Sequence, residues 1–189
     1  MTSASPPASG AGGPTVTVRP AAETDMPAIR AIYAEAVLHG LASFEEVPPT
    51  VAEMLSRRES VLGLGLPYLA AELEGCVVGY GYATAFHSRS GYRYSVEDSV
   101  YVADGMRGQG VGRALLVALI EACEAGSWRQ MVAVIGDSGN RGSIAVHERV
   151  GFRMVGTLEA VGFKFGRWVD TVLMQRPLGE GSDTSPKQD

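Results

Sequence analysis

Two kinds of spacing between apolar residues divide the chain, and its first third has mainly the helical kind. A short alternating segment at 15–20 predicts a first strand. Apolar residues then recur at helical spacing from 26 to 37, which predicts a helix with Thr24 as its candidate cap. A second helix is predicted over 51–62, because Thr50 opens a capping-box pattern. One strand and two helices are therefore expected before the main sheet.

From residue 68 onward, alternating and short continuous apolar runs indicate strands, interrupted by two helical segments. The predicted order is strand 68–73, strand 76–86, strand 94–102, helix 111–125, strand 130–135, helix 143–150, strand 153–159 and strand 167–175. The strand, helix and strand over 94–135 need a crossover connection, whereas the other strands can pair as antiparallel neighbours. We therefore predict one α/β (α+β mixed) domain over 15–178, built on a mostly antiparallel twisted sheet of about seven strands with helices on both faces. The flanking segments 1–14 and 179–189 are predicted to be flexible tails.

The net charge and the lengths of the apolar runs exclude several classes of partner. The 189 residues carry a formal net charge of −5, and the basic side chains are scattered, so no nucleic-acid-binding surface is expected. The longest apolar run, 114–120, is far shorter than the roughly 20 residues that cross a bilayer, so no membrane span is expected. The segment 1–14 lacks the basic start and the apolar stretch of a secretory signal, which favours a cytoplasmic protein.

The cysteines and histidines do not form a metal-site pattern. Cys76 and Cys123 lie far apart in apolar segments and are interpreted as packing residues. His39, His87 and His147 do not cluster along the chain, and no second histidine follows His147 at the spacing of a zinc-binding helix. We therefore expect no metal site and no redox chemistry at cysteine.

A glycine-rich turn precedes the predicted central helix. Alternating glycines, Gly108, Gly110 and Gly112, let the backbone approach a ligand closely, and the first amides of the following helix point outward without partners. The helix dipole and two flanking arginines, Arg107 and Arg113, add positive potential, so a phosphate or pyrophosphate fits this turn. The turn alone is also compatible with an ordinary helix start. A P-loop would need a lysine at the end of the turn, and a dinucleotide fingerprint would need a third glycine at 113, so neither alternative fits.

Longer strings carry a resemblance to a known family. The turn Arg107-x-x-Gly110-x-Gly112 follows a strand that ends Ser-Val-Tyr-Val, and it resembles the acetyl-CoA motif of the GNAT superfamily of N-acetyltransferases. The strings YRYSVEDSVYV at 92–102, VAVIG at 132–136 and VGFKFGRW at 161–168 are similar to the phosphinothricin and methionine sulfone acetyltransferase group. The resemblance extends over 15–178, and the last two strings are more specific than the glycine turn.

The resemblance implies the GNAT fold and an acetyl-CoA dependent N-acetyltransferase. In that family, backbone amides over 107–113 would hold the pyrophosphate, and the pantetheine arm would pair with Val100 and Val102 like an added strand. Asn140 matches the family's cofactor-contacting asparagine, although an asparagine after a glycine is also a good turn residue. The cofactor-binding residues so implied are Val100, Tyr101, Val102, Arg107, Gly108, Gln109, Gly110, Val111, Gly112, Arg113 and Asn140.

Glu97 is the candidate general base. Amide formation needs a neutral amine, and the α-amino group of an amino acid is mostly protonated near neutral pH, so a base must accept a proton. Glu97 precedes the cofactor-pairing residues on the same predicted strand, and the resemblance identifies it with the family's proposed catalytic glutamate. A solvated strand carboxylate is the alternative interpretation. Asp98 must point to the opposite face of the strand, so only one of the two carboxylates can serve.

His147 is the second catalytic candidate. Much of the superfamily has a tyrosine at this place that protonates the departing thiolate, and the phosphinothricin group has histidine, so the resemblance implies an acid or base. A lone histidine on a helix is also commonly structural, and both interpretations stay open. The resemblance further implies that the amide of Val100 stabilises negative charge on the acetyl oxygen. The recognised strings hold no cysteine, so direct transfer in a ternary complex is expected.

The resemblance implies a small amino-acid-like acceptor of the phosphinothricin, methionine sulfone or methionine sulfoximine type, acetylated at its α-amino group. Its pocket should contain a cation for the carboxylate and aromatic walls. The substrate-binding candidates are Phe44, Tyr92, Arg93 and Lys164. A protein N-terminus or lysine as acceptor, and a non-catalytic acyl-CoA binding module, remain alternatives. The family is commonly dimeric, so a homodimer through the C-terminal strands is expected.

Overall fold

The computed structural model describes residues 15–186, which form seven strands, four α-helices and two short 3-10 turns. In chain order the strands and helices are β1 (Thr17–Pro20), α1 (Met26–His39), α2 (Val51–Gly63), β2 (Tyr68–Leu73), β3 (Cys76–Ala85), β4 (Ser95–Val102), α3 (Val111–Glu124), β5 (Gln130–Gly136), α4 (Arg141–Arg149), β6 (Arg153–Lys164) and β7 (Arg167–Pro177). The 3-10 turns occupy Glu23–Asp25 and Ser90–Tyr92. Within 15–186, no helix has the length and apolar character needed to cross a membrane.

Each strand and helix predicted from the sequence is present, and the largest difference in bounds is at the end of β6. That strand continues from the predicted 159 to Lys164. The reason is a bulge: the β6–β7 register shifts between Leu158 and Gly162, and pairing resumes beyond it. A bulge interrupts the alternation of side chains, so the sequence pattern ends where the bulge begins.

The helix starts contain one correct and one wrong cap prediction. At α2 the Thr50 hydroxyl accepts from the Glu53 amide at 3.2 Å and the Glu53 carboxylate accepts from the Thr50 amide at 2.6 Å, so the capping box is confirmed. At α1 the N-cap is Asp25 and not Thr24. The Asp25 carboxylate accepts from the Arg19 guanidinium at 2.6 and 3.0 Å, and this partner from β1 organises the turn around the aspartate.

The strands form one sheet in the order β1-β2-β3-β4-β5-β7-β6. β4 and β5 pair in parallel, and every other neighbouring pair in this sheet is antiparallel. The parallel pair is the one that α3 connects, because parallel neighbours need a crossover. The predicted mixed, mostly antiparallel sheet of seven strands is therefore confirmed.

Side chains of β4 alternate between two layers of helices. Tyr101 points to the layer of α1, where its ring meets that of Tyr33 edge to face at 5.0 Å. Asp98 points to the opposite layer and contacts α4. α3 lies in this second layer as well, since a Cβ added at Gly79 of β3 would lie 2.8 Å from the side chain of Val111. Helices thus cover both faces as predicted, with α1 and α2 on one and α3 and α4 on the other.

The described part of the C-terminal segment, 179–186, lies against Arg129 at the start of β5. The Arg129 guanidinium donates to the carbonyl oxygens of Gly181 and Thr184, each at 2.9 Å, and lies 3.4 Å from the Glu180 carboxylate. This part of the predicted tail is therefore attached to the domain by hydrogen bonds. The predicted N-terminal tail 1–14 and the last residues 187–189 lie outside the described residues.

Candidate active site

β4 and β5 pair only over the first part of their lengths. Parallel pairing begins at Ser95 and ends where Asp98 lies opposite Ala133. β4 nevertheless continues to Val102 and β5 to Gly136, so the two strands diverge beyond Asp98. The space between the second halves of β4 and β5, which are not paired with each other, is termed the β4–β5 cleft. No strand among the described residues pairs with β4 along this cleft.

Backbone groups of β4 alternate between β3 and the β4–β5 cleft. The Ala103 amide donates to the Val78 carbonyl at 2.9 Å, which marks the bonded register of the antiparallel β3–β4 ladder. Two residues back, the backbone groups of Tyr101 also face β3, whereas those of Val100 and Val102 face the cleft. An extended ligand can therefore pair with the two residues predicted to bind pantetheine. Tyr101, predicted with them, directs its backbone to β3 and its side chain to the layer of α1.

The glycine turn follows β4 and leads into α3. Gly108 and Gly110 have positive φ values of 80° and 83°, and a Cβ added at either would meet no atom within 4 Å, so the turn is open outward. Gly110 is the N-cap of α3 and has no side-chain capping bond. The first three helical amides, those of Val111, Gly112 and Arg113, precede the first bond of the helix ladder and can bind an anion.

Charged and polar side chains surround this turn. Arg107 and Arg113 are exposed on its two sides. Gln109 folds its side-chain amide back onto the Gly105 carbonyl at 3.2 Å, which closes the turn on itself. Open glycines, helix amides without side-chain caps and two cations together match a pyrophosphate in both charge and hydrogen-bonding capacity.

On the other wall of the cleft, α4 follows β5 and begins at Asn140. The Asn140 side-chain oxygen accepts from the Ser143 amide at 3.2 Å, so Asn140 is the cap of this helix. This is the turn-forming role that the sequence analysis weighed beside a cofactor contact. The cap nevertheless lies near the end of β5 that borders the cleft, because only Asp137, Ser138 and Gly139 separate Asn140 from that strand.

Glu97 lies on β4 with its side chain in the layer of α1 and α2, and it is partly buried. Burial first, and then the negative charge of Asp98, raise the pKa of the Glu97 carboxyl to about 6. A carboxylate with this pKa is ionised at neutral pH and is more basic than an ordinary glutamate. It therefore suits a general base.

A cavity of about 290 Å³ opens beside Glu97 on the same face of the sheet. It is termed the tyrosine chamber, since its lining residues are Tyr33, Tyr68, Tyr80, Tyr82, Met54, Arg57, Ser60, Val61, Leu64 and Thr84. Thr84 is the direct neighbour of Glu97 across the β3–β4 ladder, so Glu97 stands beside a residue that lines the chamber. The Arg57 guanidinium binds the Glu45 carboxylate at 2.8 and 3.2 Å, so the charge of this lining arginine is balanced.

His147 is 4% exposed, and both of its ring nitrogens are bonded to protein atoms. Nδ1 lies 2.7 Å from the Ser143 carbonyl oxygen, and Nε2 lies 3.0 Å from the Asp98 carboxylate. Burial by itself would lower the pKa of His147, but the hydrogen bond and negative charge of Asp98 and the Ser143 carbonyl raise it overall. His147 lies in the layer of α3 and α4 and Glu97 in that of α1 and α2. The structure thus places the two predicted catalytic side chains on opposite faces of the sheet.

Two predicted acceptor residues, Phe44 and Lys164, meet at the loop between α1 and α2. The Lys164 ammonium is buried and donates to the carbonyl oxygens of Gly40 at 3.0 Å and Ser43 at 2.7 Å. Burial lowers the pKa of Lys164. Its hydrogen bonds anchor the loop and do not point to a substrate carboxylate in this structure. Phe44 is exposed, and its ring covers Gly162 of β6, where an added Cβ would lie 2.5 Å from ring atoms.

The other two acceptor candidates, Tyr92 and Arg93, lie in the exposed turn before β4. The Tyr92 ring stacks on His87 at 5.0 Å. Arg93 donates to the Ser90 carbonyl at 3.0 Å and covers the Tyr94 ring at 4.7 Å. The structure therefore divides the four candidates between two local clusters, one at this turn and one at the α1–α2 loop.

Two parts of the site are not anticipated by the sequence analysis. One is the pairing of Asp98 with His147, whose partners are 49 residues apart along the chain. The other is the tyrosine chamber, for which a signal existed: Tyr80 and Tyr82 stand two positions apart on one strand and must share a face. Within 15–186, no three His, Cys, Asp or Glu side chains are grouped to hold a metal ion.

Comparison with known proteins places this geometry in a family. The family model described as acetyltransferase (GNAT) domain matches residues 18–173. The chain is 57% identical over 171 residues to phosphinothricin N-acetyltransferase from Alcaligenes faecalis, a match that spans 90% of this chain and 87% of the relative. It is 41% identical over 165 residues to the L-methionine sulfoximine/L-methionine sulfone acetyltransferase of Pseudomonas aeruginosa, spanning 87% and 95% of the two chains.

A solved structure supports the same assignment. The crystal structure of a GNAT superfamily phosphinothricin acetyltransferase from Sinorhizobium meliloti, in complex with AcCoA, matches with a TM-score of 0.89 at 48% identity. The match covers 92% of this chain and 94% of that one. The sheet order, the β4–β5 cleft, the glycine turn and these similarities agree, and the chain belongs to the GNAT family of acetyltransferases.

Proposed function

We propose that this chain transfers the acetyl group of acetyl-CoA to the α-amino group of a small amino-acid-like acceptor of the phosphinothricin, methionine sulfone or methionine sulfoximine type. The observation that carries the proposal is the position of Glu97. Glu97 stands beside Thr84, a lining residue of the tyrosine chamber, and the following residues of the same strand turn backbone groups toward the β4–β5 cleft. An acceptor in the chamber and a thioester in the cleft would meet where β4 and β5 diverge.

Acetyl-CoA suits the cleft in both shape and charge. Val100 and Val102 offer backbone groups to an extended pantetheine arm, and the first amides of α3 offer donors to the pyrophosphate. The relative from Sinorhizobium meliloti is described in complex with AcCoA. The proposed cofactor contacts are the other residues inferred from the sequence: Val100, Val102, Arg107, Gly108, Gln109, Gly110, Val111, Gly112, Arg113 and Asn140. Tyr101 is left out of this set, because its backbone faces β3 and its ring lies in the layer of α1.

The proposed reaction is direct transfer in a ternary complex. Glu97 accepts a proton from the acceptor's ammonium group, directly or through one water, and frees the nitrogen lone pair. The nitrogen attacks the thioester carbonyl carbon, and the carbonyl electron pair moves to oxygen, where the Val100 amide donates a hydrogen bond. Collapse re-forms the carbonyl, breaks the C–S bond and releases CoA thiolate. The nitrogen then loses its second proton, and the thiolate gains one.

The small acceptor class is supported by the relatives and by the size of the tyrosine chamber. The relatives carry the names phosphinothricin N-acetyltransferase and L-methionine sulfoximine/L-methionine sulfone acetyltransferase. A cavity of about 290 Å³ suits an amino-acid side chain better than a peptide segment. We assign acceptor contacts to Phe44, Tyr92 and Arg93, and we assign to Lys164 the support of the loop that carries Phe44.

A thiol-release assay on the full chain tests this function. With saturating acetyl-CoA, phosphinothricin, methionine sulfone and methionine sulfoximine are compared with a peptide that offers both a free N-terminus and a lysine. We expect CoA release, and a product heavier by one acetyl group, with at least one of the three amino acids and not with the peptide. The matched control Glu97→Gln should lower turnover about 100-fold and leave the affinity for CoA unchanged.

Each alternative has its own signature in this assay. Turnover with the peptide and with none of the three amino acids would indicate that the acceptor is a protein and not a small amino acid. CoA binding without turnover of any acceptor would indicate a non-catalytic acyl-CoA module. Mass spectrometry that detects an acetylated enzyme on the reaction path would contradict direct transfer.

We also propose that two copies associate through β6 and β7. β6 is the last strand of the sheet, and its outer edge pairs with no strand of the described chain. The large apolar side chains that these strands and their turn expose are Met154, Val155, Leu158, Val161, Phe163, Phe165 and Trp168. A concentration of exposed apolar side chains on a sheet edge is typical of an interface.

A further inference from the structure

Asp98 and His147 form a buried pair at the point where the β4–β5 cleft begins. Asp98 is the last residue of β4 that pairs with β5, opposite Ala133. The two side chains are 2% and 5% exposed, and the Nε2–Oδ2 distance is 3.0 Å. The bond joins β4, which is one wall of the cleft, to α4, which follows the other wall. The bond therefore links the two walls of the β4–β5 cleft at the end where β4 and β5 are still paired.

The His147 ring is held on several sides. Its Nδ1 donates to the Ser143 carbonyl one turn earlier. The His147 and Phe152 rings pack edge to face, with their centroids 5.0 Å apart and an angle of 87° between the ring planes. The Ser143 amide is in turn bonded to Asn140, the cap of α4 at the mouth of the cleft. A continuous set of contacts therefore runs from Asp98 on β4 to the residue of α4 that is proposed to contact the cofactor.

Each member of the Asp98–His147 pair needs the other as a hydrogen-bond partner in the protein interior. The second carboxylate oxygen of Asp98, Oδ1, is buried and has no hydrogen-bond partner in the part of the chain that the structure describes. The carboxylate thus depends on His147 for its compensation. Removing one member would leave an uncompensated polar group in the interior, which costs far more than removing an exposed pair.

We propose that Asp98 and His147 are positioning residues that fix the separation of the two walls of the β4–β5 cleft, and thereby the affinity for acetyl-CoA, without touching the reacting atoms. The inference rests on the proposed function, because it assumes that this cleft receives acetyl-CoA. The contrasting role for His147 is to protonate the departing thiolate. That role needs a ring nitrogen directed into the cleft, and both nitrogens are bonded to Ser143 and Asp98.

Two substitutions at position 147 separate a cross-link from a proton donor. Glutamine can place an amide N–H near the position of Nε2 and keep the bond to Asp98, whereas phenylalanine keeps the ring shape and removes both donors. We expect His147→Phe to raise the dissociation constant for CoA, measured by isothermal titration calorimetry, about tenfold or more, and His147→Gln to change it by less than about threefold. At saturating acetyl-CoA, both variants should keep kcat within about threefold of the wild type.

Substitutions at neighbouring positions complete the set. Asp98→Leu removes the partner of His147 and should weaken CoA binding as much as His147→Phe does, and the two changes together should add little. Glu148→Gln, at an exposed position beside His147 on α4, is the matched control and should leave CoA binding and turnover unchanged. If a single change prevents folding because one buried polar group has lost its partner, Asp98→Leu/His147→Phe removes both groups and tests the same weakening of CoA binding.

Equal loss of kcat in His147→Gln and His147→Phe, with CoA binding and Asp98→Leu at wild-type levels, would overturn the proposal in favour of a proton donor. CoA affinity that is the same in every variant would overturn it too. A wild-type protein that binds CoA but acetylates no acceptor would refute the proposed function alone, because the binding series still decides the role of the pair. A wild-type protein that does not bind CoA would refute both.

Discussion

At the scale of single residues, Glu97 and Asp98 are adjacent and chemically alike, yet the strand directs them to different layers. Asp98 is buried against His147 and links two elements. Glu97 is partly buried beside the tyrosine chamber, where burial and the charge of Asp98 raise its pKa to about 6. The alternation of side chains along the strand thus buries the Asp98 carboxylate against His147 and gives the Glu97 carboxylate a raised pKa.

The raised pKa of Glu97 predicts an acidic limit to activity. Only the ionised carboxylate can accept a proton, so kcat/KM should fall as the pH is lowered through about 6, the pKa of Glu97 in the folded protein. An ordinary exposed glutamate would stay ionised down to about pH 4.3. Initial rates at low acceptor concentration between about pH 5 and pH 8 measure this fall in kcat/KM. Full activity at pH 5 would exclude Glu97 as the base.

The variant Glu97→Gln supplies a second check, because stability should change in the opposite direction from activity. The folded state binds the Glu97 proton more tightly than the unfolded state does, so stability falls as the pH rises from 4.5 to about 6. Above this window Glu97→Gln should raise the free energy of unfolding by about 1 kcal/mol, and near pH 4 the difference should vanish. Urea unfolding at both pH values tests this, and a less stable variant at high pH would contradict it.

At the scale of elements, the β6–β7 hairpin holds the loop between α1 and α2. Lys164 donates to two carbonyl oxygens of that loop, and Gly162 leaves space for the Phe44 ring. Both residues belong to the string VGFKFGRW at 161–168, which the sequence analysis found more specific than the glycine turn. The contacts explain the string physically: the glycine is needed for close approach, and the lysine satisfies one part-buried and one buried backbone acceptor.

Lys164→Met should loosen this loop. Methionine keeps a long apolar stem but removes the donor to the buried carbonyl of Ser43 and to the part-buried carbonyl of Gly40, so the free energy of unfolding should fall by about 2 kcal/mol. The acceptor KM should rise about fivefold while CoA affinity stays constant. Arg153→Met, an exposed basic residue on the same strand, is the matched control. A folded Lys164→Met protein with normal acceptor KM would show that the anchored loop does not shape the acceptor site.

At the scale of the whole molecule, the two ends of the sheet differ in chemistry. The β1 end is short and carries Arg19, which bonds Asp25 and Glu72. The β6 end is long and exposes apolar side chains, among them Trp168 with 68% of its surface accessible. Charged, short edge strands resist association, and long apolar ones favour it. This asymmetry is the reason to place the contact between two copies at β6 and β7.

Light scattering at micromolar concentration should therefore give twice the chain mass. Trp168→Lys places a charge within the exposed apolar surface and should shift the mass toward one chain, since an unpaired charge in an interface is costly. Leu62→Lys alters an exposed apolar residue of α2 instead and should leave the mass unchanged. A wild-type protein with the mass of a single chain would contradict the proposed dimer.

The sequence by itself determined the order and type of the elements, the capping box at Thr50, and the open glycine turn before α3. These features depend on residues close together in the chain, so local periodicity and turn chemistry are sufficient. The predicted cap of α1 is one residue too early, because the Asp25 carboxylate is bound by Arg19 of β1 and the preference for threonine as a cap does not include that ion pair.

Only the tertiary structure decided which side chains meet. His147 reaches Asp98 across 49 positions, and Lys164 reaches Gly40 across 124. Such contacts depend on the strand order, on the face that each residue occupies and on the point where β4 and β5 diverge. None of these is encoded in local spacing, because the burial of several distant elements together selects them. The chain thus specifies its candidate chemistry locally and assembles it only by folding.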